Sequence, residues 1–456
     1  MEPFRHHIYA CNQQKPEGMP SCSAHGAAAT IDALRRELAR QGLADTVQVT
    51  TCGSLGLCGR GPNMVVYPEG VWYSGVTPAD VEEIVREHLA RGRVVERLAS
   101  GPEPALRTEI DDNRKKMLAA LAVRDEAGAL PDDLRQAING FRKSRVLLTA
   151  IELDIFTAVG DGADAPTVAT TLGTDSRATE SLLNALAALD VLHKQGTTFT
   201  NAPVAKRYFV AGAEDDSRAA IMHTAHLWPR WSTLTDCVRE GTSVTTRQSG
   251  RGDDAWTRAF IAAMHKNASV RAPAVARAIG LDGVRRVLDI GGGSGAYSIA
   301  FARANDHLEA EILDVAAVVP IAQGHIEQAG LAGRVKTRVG SLHDDAYGTG
   351  YDLVLLSAIC HMLGPDDNRA MLRKVFAALA PNGRVVIQDF IMDAHKTRPA
   401  TGALFALNML VGTRAGSTYS QDEYTAWLHD AGFGDVRLAR MPGPTDLVIG
   451  TRPSSG

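Results

Sequence analysis

The sequence has little net charge, no long hydrophobic run and few cysteines, and each shortage excludes something. Its 48 basic and 52 acidic side chains leave a formal charge of −4, without the basic excess that carries a nonspecific polyanion binder, so nucleic acid is a poor expectation. The longest apolar stretch, Ala403 to Val411, is interrupted by Asn408 and is too short to span a bilayer. The opening MEPFRHHIYACNQQ has no apolar core of signal-peptide length, and a cytoplasmic protein without membrane contact is expected. Internal repeats and low-complexity tracts are also missing. What is present is ordinary: 456 residues, 45% hydrophobic and 22% charged, enough for two to four domains.

The six cysteines are unevenly spread. Cys11, Cys22, Cys52 and Cys58 fall in the first 58 residues, and only Cys237 and Cys360 lie beyond. In a reducing compartment such clustering favours metal ligands or redox groups over structural disulfides.

Residues 1–98 alternate quickly between strand and helix patterns. Short strands are expected at His7 to Ala10 and Val47 to Thr51, with a helix over Ala27 to Gln41 from the spacing of Ile31, Leu34 and Leu38. A hairpin, Met64 to Tyr67 and Val71 to Tyr73, turns at Pro68-Glu69-Gly70, and Thr77-Pro78 opens a closing helix. Residues 99–117, with Gly-Pro-Glu-Pro and the charged run EIDDNRKK, read as a linker. Residues 118–276 are helical except for a short strand pair around Gln195-Gly196, the order of a winged helix. From 277 to 456, apolar strands alternate with helices, which predicts a doubly wound, mostly parallel α/β domain covered on both faces.

Asp289-Ile-Gly-Gly-Gly-Ser-Gly295 follows a buried strand and opens a helix. Gly291, Gly292, Gly293 and Gly295 allow a sharp turn and let a ligand lie against the backbone near a helix N-terminus. Asp314, at the end of the next strand, can hold ribose hydroxyls. An acid directly before the glycines suits an ammonium or sulfonium group better than a pyrophosphate, which favours S-adenosylmethionine (SAM) over NAD.

Through VLDIGGGSG, YDLVLLSAICH, LAPNGRVVIQDF, LFALNMLVGT and TYSQDEYTAWLHDAGF, residues 118 to 453 resemble the small-molecule O-methyltransferases with a winged-helix dimerisation domain and a Rossmann-like catalytic domain. The resemblance implies SAM as cofactor, held by Asp289, the glycines and Asp314, with Val315, Ser341, Leu342 and Ser357 in the same set. It places His361 as the base and Asp389 as the acid that orients it; an imidazole can take a proton from a hydroxyl as the methyl moves. It implies a homodimer and a pocket for an aromatic or polycyclic acceptor, with His223, His226, Trp231, Phe260, Met264 and Met409 as candidate lining. The chain departs from the family twice: Gly340-Ser341 stands where Gly-Asp is frequent, and the second orienting acid expected near Ser417-Thr418 is missing. Methylation at carbon, nitrogen or sulfur, and a non-methylating redox use of SAM, stay open beside O-methylation. A DNA-binding regulator is the rival from another class, but its recognition helix, Ser176 to Asp190, sets Arg177 against Glu180 and Asp190.

Residues 7–90 resemble the thioredoxin-like [2Fe-2S] ferredoxins through HIYACNQQ, SCSAHGA, LGLCGRGPNMVVYPEGVWY and VEEIVREHL. That resemblance implies a [2Fe-2S] cluster, and with it a redox partner. Cys11, Cys22 and Cys58 match ligand positions, while the remaining position holds Ser54, with Cys52 two residues earlier. Cys52 or Ser54 completes the set, and a zinc site or a cluster-free fold is the alternative.

Overall fold

Alternation of strand and helix patterns at both ends of the chain produces two separate sheets, with helical residues between them. The computed structural model describes residues 4–15, 19–101, 103–126, 130–245, 254–343 and 346–454. It divides into two compact units, Met1–Phe141 and Arg142–Gly456.

The first unit is built on a four-stranded sheet of order β2-β1-β3-β4. Strand β1 (His6–Cys11) runs parallel to β2 (Val47–Cys52) and antiparallel to β3 (Asn63–Tyr67), which forms a hairpin with β4 (Val71–Ser74). The helix Ala27–Arg40 makes the crossover between the parallel strands and buries Ala27, Ile31, Leu34 and Leu38, a stripe at helical spacing. Together with Val81, Ile84, Val85 and Leu89 of the closing helical segment, that stripe packs on Ile8 and Ala10.

The stretch expected as a linker is helical instead. Glu103–Glu126 forms a 24-residue helix. Its few apolar residues suffice because Leu106 and Ile110 stand four apart on one face: Leu106 is buried, and Ile110 packs at Gly56. Glu109 pairs with Arg60 at 2.9 Å, and Asn113 Nδ2 donates to the Gly56 carbonyl at 2.9 Å. The expected boundary near 117 therefore moves to Phe141, because this helix belongs to the first unit.

In the second unit, β5 (Ala163–Asp164), β6 (Leu192–Gln195) and β7 (Thr198–Asn201) form a small sheet of order β5-β7-β6 beside the helix Ser176–Ala188. Phe156, Leu183, Leu186 and Phe199 make its core. The Asp175 carboxylate caps that helix by accepting from Ala178 N at 2.8 Å. The helix and wing expected from the sequence are both present.

The large sheet has the order β10-β9-β8-β11-β12-β16-β15. Strands β8 (Arg286–Ile290), β9 (Glu309–Asp314), β10 (Val335–Val339), β11 (Tyr351–Ser357) and β12 (Leu379–Asp389) are parallel. β16 (Asp446–Thr451) is antiparallel to β12 and to the edge strand β15 (Gly434–Ala439). Leu353 and Leu355 of β11 enter one core while Val354 and Leu356 enter the other, so both faces are covered. A short ladder, β13 (Ile391–Met392) with β14 (Tyr419–Ser420), follows the main sheet. The strand order reverses between β8 and β11, and a ligand crevice belongs at the carboxyl ends of those strands.

Leu134 and Ile138, four apart on the helix Asp132–Asn139, form an apolar stripe that is 47% and 57% exposed. The double substitution Leu134→Glu/Ile138→Glu is expected to convert a dimer to a monomer in size-exclusion chromatography with light scattering, without change in far-UV circular dichroism. An unchanged mass would remove this stripe from the dimer contact.

Candidate functional site

Five parallel strands carry the predicted site residues at or just beyond their carboxyl ends. β8 delivers Asp289 and the glycine turn, β9 delivers Asp314 and Val315, and Ser341 with Leu342 follows β10. Ser357 ends β11, His361 follows it, and Asp389 ends β12.

Backbone conformation and close contacts favour glycine at several positions of the turn. Gly291, Gly293 and Gly295 have φ of +66°, +57° and +77°, and a Cβ on Gly291 would collide with Ile359 Cδ1. At Gly292 an added Cβ would lie 2.7 Å from the Asp289 carboxyl carbon. The turn is tied to its neighbours by Gly291 N, which donates to Leu313 O at 2.7 Å, and Gly293 N, which donates to Asp314 Oδ2 at 2.8 Å. Asp314 Oδ1 accepts from Val315 N at 2.7 Å. The Val315 side chain is exposed.

Asp289 is fully buried and half satisfied. Its Oδ2 accepts from Ser298 Oγ at 2.7 Å, while Oδ1 has no hydrogen-bond partner among the described residues. Burial pushes its pKa up to about 7, helped by the nearby Asp314 charge and opposed by the Ser298 hydroxyl. An orphaned buried carboxylate oxygen beside a glycine cradle is complementary to a cation. The residues present therefore fit SAM, whose ammonium and sulfonium groups are positive.

After β10, Ser341 Oγ accepts from His343 N at 3.1 Å, and the Leu342 carbonyl accepts from Tyr347 OH at 2.7 Å. Asp344 lies outside the described residues. Ser357 Oγ donates to Gln388 Oε1 at 3.1 Å, which links the ends of β11 and β12.

His361 sits in a short helical turn, Cys360–Met362, with its ring buried. Asn368 Nδ2 holds that turn by donating to the carbonyls of Cys360, Leu363 and Gly364 at 2.9 to 3.2 Å. His361 Nδ1 lies 2.7 Å from Asp389 Oδ1. An ionised carboxylate only accepts, so Nδ1 carries the proton and Nε2 keeps its lone pair. Asp389 also accepts from the backbone N–H groups of His361, at 3.1 Å, and Phe390, at 2.8 Å, and from Tyr424 OH at 3.3 Å. Tyr424 escaped the sequence reading. It lies 35 residues from Asp389 on the helix Gln421–Asp430, among buried apolar neighbours, and nothing in its spacing marks it as polar. The position of the missing second acid is occupied by Thr418, whose Oγ1 donates to Gly402 O at 3.2 Å.

Phe405 meets the His361 ring edge to face at 4.8 Å and stacks on Phe390 at 4.3 Å. Three residues further along the same helix, Asn408 Oδ1 accepts from Trp231 Nε1 at 3.0 Å. Trp231 thus offers a ring face, its only donor being engaged. His223 and Phe260 face one another at 5.1 Å, and burial lowers the His223 pKa. His226 Nδ1 is buried without a partner among the described residues. Met264 is half-buried, and Met409 is buried.

A second group lies in the first unit. Cys11, Cys22 and Cys58 are buried, with their sulfurs within 4.8 Å of one another, and form the one candidate metal-ligand group among the described residues. Hydrogen bonds from Cys11 and Cys22 hold Cys58 far below the ordinary thiol range, and the same contacts push Cys22 far above it. Cys52 stands outside the trio. Ser54 Oγ lies 3.2 Å from Cys58 Sγ.

The O-methyltransferase domain family matches residues 231–434, and the O-methyltransferase dimerisation domain matches residues 135–211. A 3-hydroxy-5-methyl-1-naphthoate 3-O-methyltransferase of Streptomyces sahachiroi is 34% identical over 337 residues, covering 71% of this chain and 95% of that protein. The tetracenomycin polyketide synthesis 8-O-methyl transferase TcmO of Streptomyces glaucescens is 30% identical, covering 71% and 97%. An O-methyltransferase family protein of Burkholderia thailandensis superposes with a TM-score of 0.66 at 27% identity, over 72% of this chain and all of that one.

Two tests follow from the acids. Because the Asp289 pKa is raised to about 7, the carboxyl is neutral below that pH and anionic above it. Calorimetric SAM affinity should rise by up to about tenfold per pH unit below 7 and level off above it. Asp289→Asn should bind weakly with a flat profile; a steep profile in that variant would assign the titration elsewhere. Tyr424→Phe removes one of four hydrogen bonds to Asp389 and should lower kcat by roughly threefold to tenfold, the scale of one net hydrogen bond, with SAM affinity unchanged.

Proposed function

From the premise that this chain belongs to the SAM-dependent O-methyltransferase family, we propose that it methylates a hydroxyl group of an aromatic or polycyclic small molecule, with His361 as the base. The buried His361–Asp389 pair carries this reading, because it presents Nε2 as an acceptor beside the strand ends that form the SAM crevice. The SAM-dependent activity itself follows from the family and its relatives. One of those relatives is named for a naphthoate substrate and another for tetracenomycin polyketide synthesis, which supports a fused-ring acceptor.

When bound, SAM supplies an electrophilic methyl group on a sulfonium centre. Asp289 meets its positive end, Asp314 holds ribose hydroxyls, and the glycine backbone lies against it. Val315, Ser341, Leu342 and Ser357 complete the set at the neighbouring strand ends. His361 Nε2 takes the acceptor proton, and Asp389 stabilises the resulting imidazolium and keeps the ring oriented. Phe405, Trp231 and the His223–Phe260 pair offer ring faces to a flat acceptor, with His226 as a polar anchor. The dimerisation domain supports a homodimer.

The first unit is the second element of the proposal. Its parallel β1–β2 pair with a helical crossover, its antiparallel hairpin and its buried cysteine trio support a thioredoxin-like ferredoxin domain holding a [2Fe-2S] cluster. Around the trio, a Cβ on Gly61 would lie 2.8 Å from Cys22 Sγ, and Asn63 Nδ2 donates to that sulfur at 3.2 Å. When present, the cluster supplies one-electron chemistry.

His361→Ala should reduce turnover about 100-fold or more while leaving calorimetric SAM affinity intact. Unchanged turnover would reassign the base. Mass spectrometry of products from candidate phenols should show a gain of one methyl with formation of S-adenosylhomocysteine. Methyl on carbon, nitrogen or sulfur, or a product without added methyl, would overturn the O-methylation reading.

A further inference from the structure

We infer that His265 is a positioning residue for SAM binding, which acts through a hydrogen bond to Ser294 and so holds the glycine turn by the one side chain it offers. This rests on the reading of that turn as the SAM site.

From Gly291 to Gly295 the sequence runs Gly-Gly-Gly-Ser-Gly, so Ser294 carries the only side chain in the turn. Glycines lose more conformational freedom than other residues when a structure fixes them. Backbone amides supply part of the hold. Gly291 N and Gly293 N donate to residues of β9, and Gly295 N donates to Gly292 O at 2.9 Å, within the turn itself. Ser294 adds a tie to a different element: it is buried, and its Oγ lies 2.8 Å from His265 Nδ1 on the helix Asp254–Ile279.

His265 is itself fixed on two further sides. Its ring stacks on His325 of the helix Val319–Gln328, with centroids 3.8 Å apart and planes 10° apart. Its Nε2 lies 3.3 Å from Ser269 Oγ, one turn along its own helix. Burial and the neighbouring His325 hold its pKa below the ordinary imidazole range, so at pH 7 the ring is neutral, with one donor and one acceptor nitrogen. A serine hydroxyl can donate or accept, and both nitrogens are therefore matched in either tautomer. Turning the ring away from Ser294 would also break the stack and the second hydrogen bond. Ile261, four residues earlier on the same helix, lies against the turn as well, since a Cβ on Gly293 would stand 3.8 Å from its Cδ1. Once Ser294 is released, SAM must order the turn on binding, and that ordering is lost from its affinity.

The test measures SAM affinity of the full chain by calorimetry, with circular dichroism and Tm as checks of the fold. His265→Leu and Ser294→Ala should each weaken SAM binding by about threefold to tenfold, the scale of one net hydrogen bond. The double variant should be no weaker than the weaker single variant, because both remove the same bond. His265→Asn places an amide where Nδ1 stands and should bind SAM as wild type does, whereas His265→Gln carries its amide to the Nε2 position and should bind as weakly as His265→Leu. Wild-type affinity in His265→Leu, single losses that add in full in the double variant, or equal binding by the Asn and Gln variants would overturn the role of His265. Should His265→Leu fail to fold, the Asn and Gln pair decides. Undiminished affinity in Asp289→Asn would instead overturn the placement of SAM at the turn.

Discussion

The catalytic unit depends on one buried carboxylate. Asp389, at the end of β12, accepts from the ring and backbone of His361, from the Phe390 amide and from Tyr424. These bonds tie three elements to one point: the strand end, the turn Cys360–Met362 and the helix Gln421–Asp430. A carboxylate in so dry a position must be satisfied on all sides, and each donor that satisfies it is thereby fixed in place. The orientation of the His361 imidazole is a consequence of that requirement.

Asp289 shows the opposite treatment of the same side chain. It is equally buried, yet among the described residues only Ser298 donates to it, and its second oxygen has no partner there. Desolvation then raises its pKa to about 7. One acid is completed by the protein and serves as an anchor; the other keeps an oxygen without a partner among the described residues. The glycines beside it are demanded by contact as much as by φ, because Ile359 and the Asp289 carboxyl fill the space a side chain would need.

In the first unit the same logic of closure acts on a loop. Helix Glu103–Glu126 is largely charged, and it holds to the domain through a few contacts, Leu106, Ile110, Glu109 and Asn113, grouped near Gly56 and Arg60. Those contacts hold Gly56, whose N–H donates to Ser54 Oγ, and that oxygen lies 3.2 Å from Cys58 Sγ. A segment that reads as a spacer thus shapes the neighbourhood of the metal-ligand group.

Local pattern was enough for the strands, the glycine turn and the order of helix and wing, because hydrophobic period and the strand-to-turn order are written in consecutive residues, whereas the pairing of His361 with Asp389 came from the family resemblance. It was not enough for the helix at 103–126, whose sparse apolar positions gain their value only from a surface contributed by residues 56 to 60. Tyr424 was equally hidden, since its hydroxyl finds Asp389 across 35 residues. The sequence by itself determined the chemistry on offer: an acid before glycines, an imidazole after β11, and four cysteines near one end. Tertiary structure alone decided which groups are satisfied and which are left open, because desolvation and hydrogen-bond partnership arise from elements far apart in the chain. It left Asp289 Oδ1 without a partner among the described residues and set Ser54 Oγ beside Cys58 Sγ.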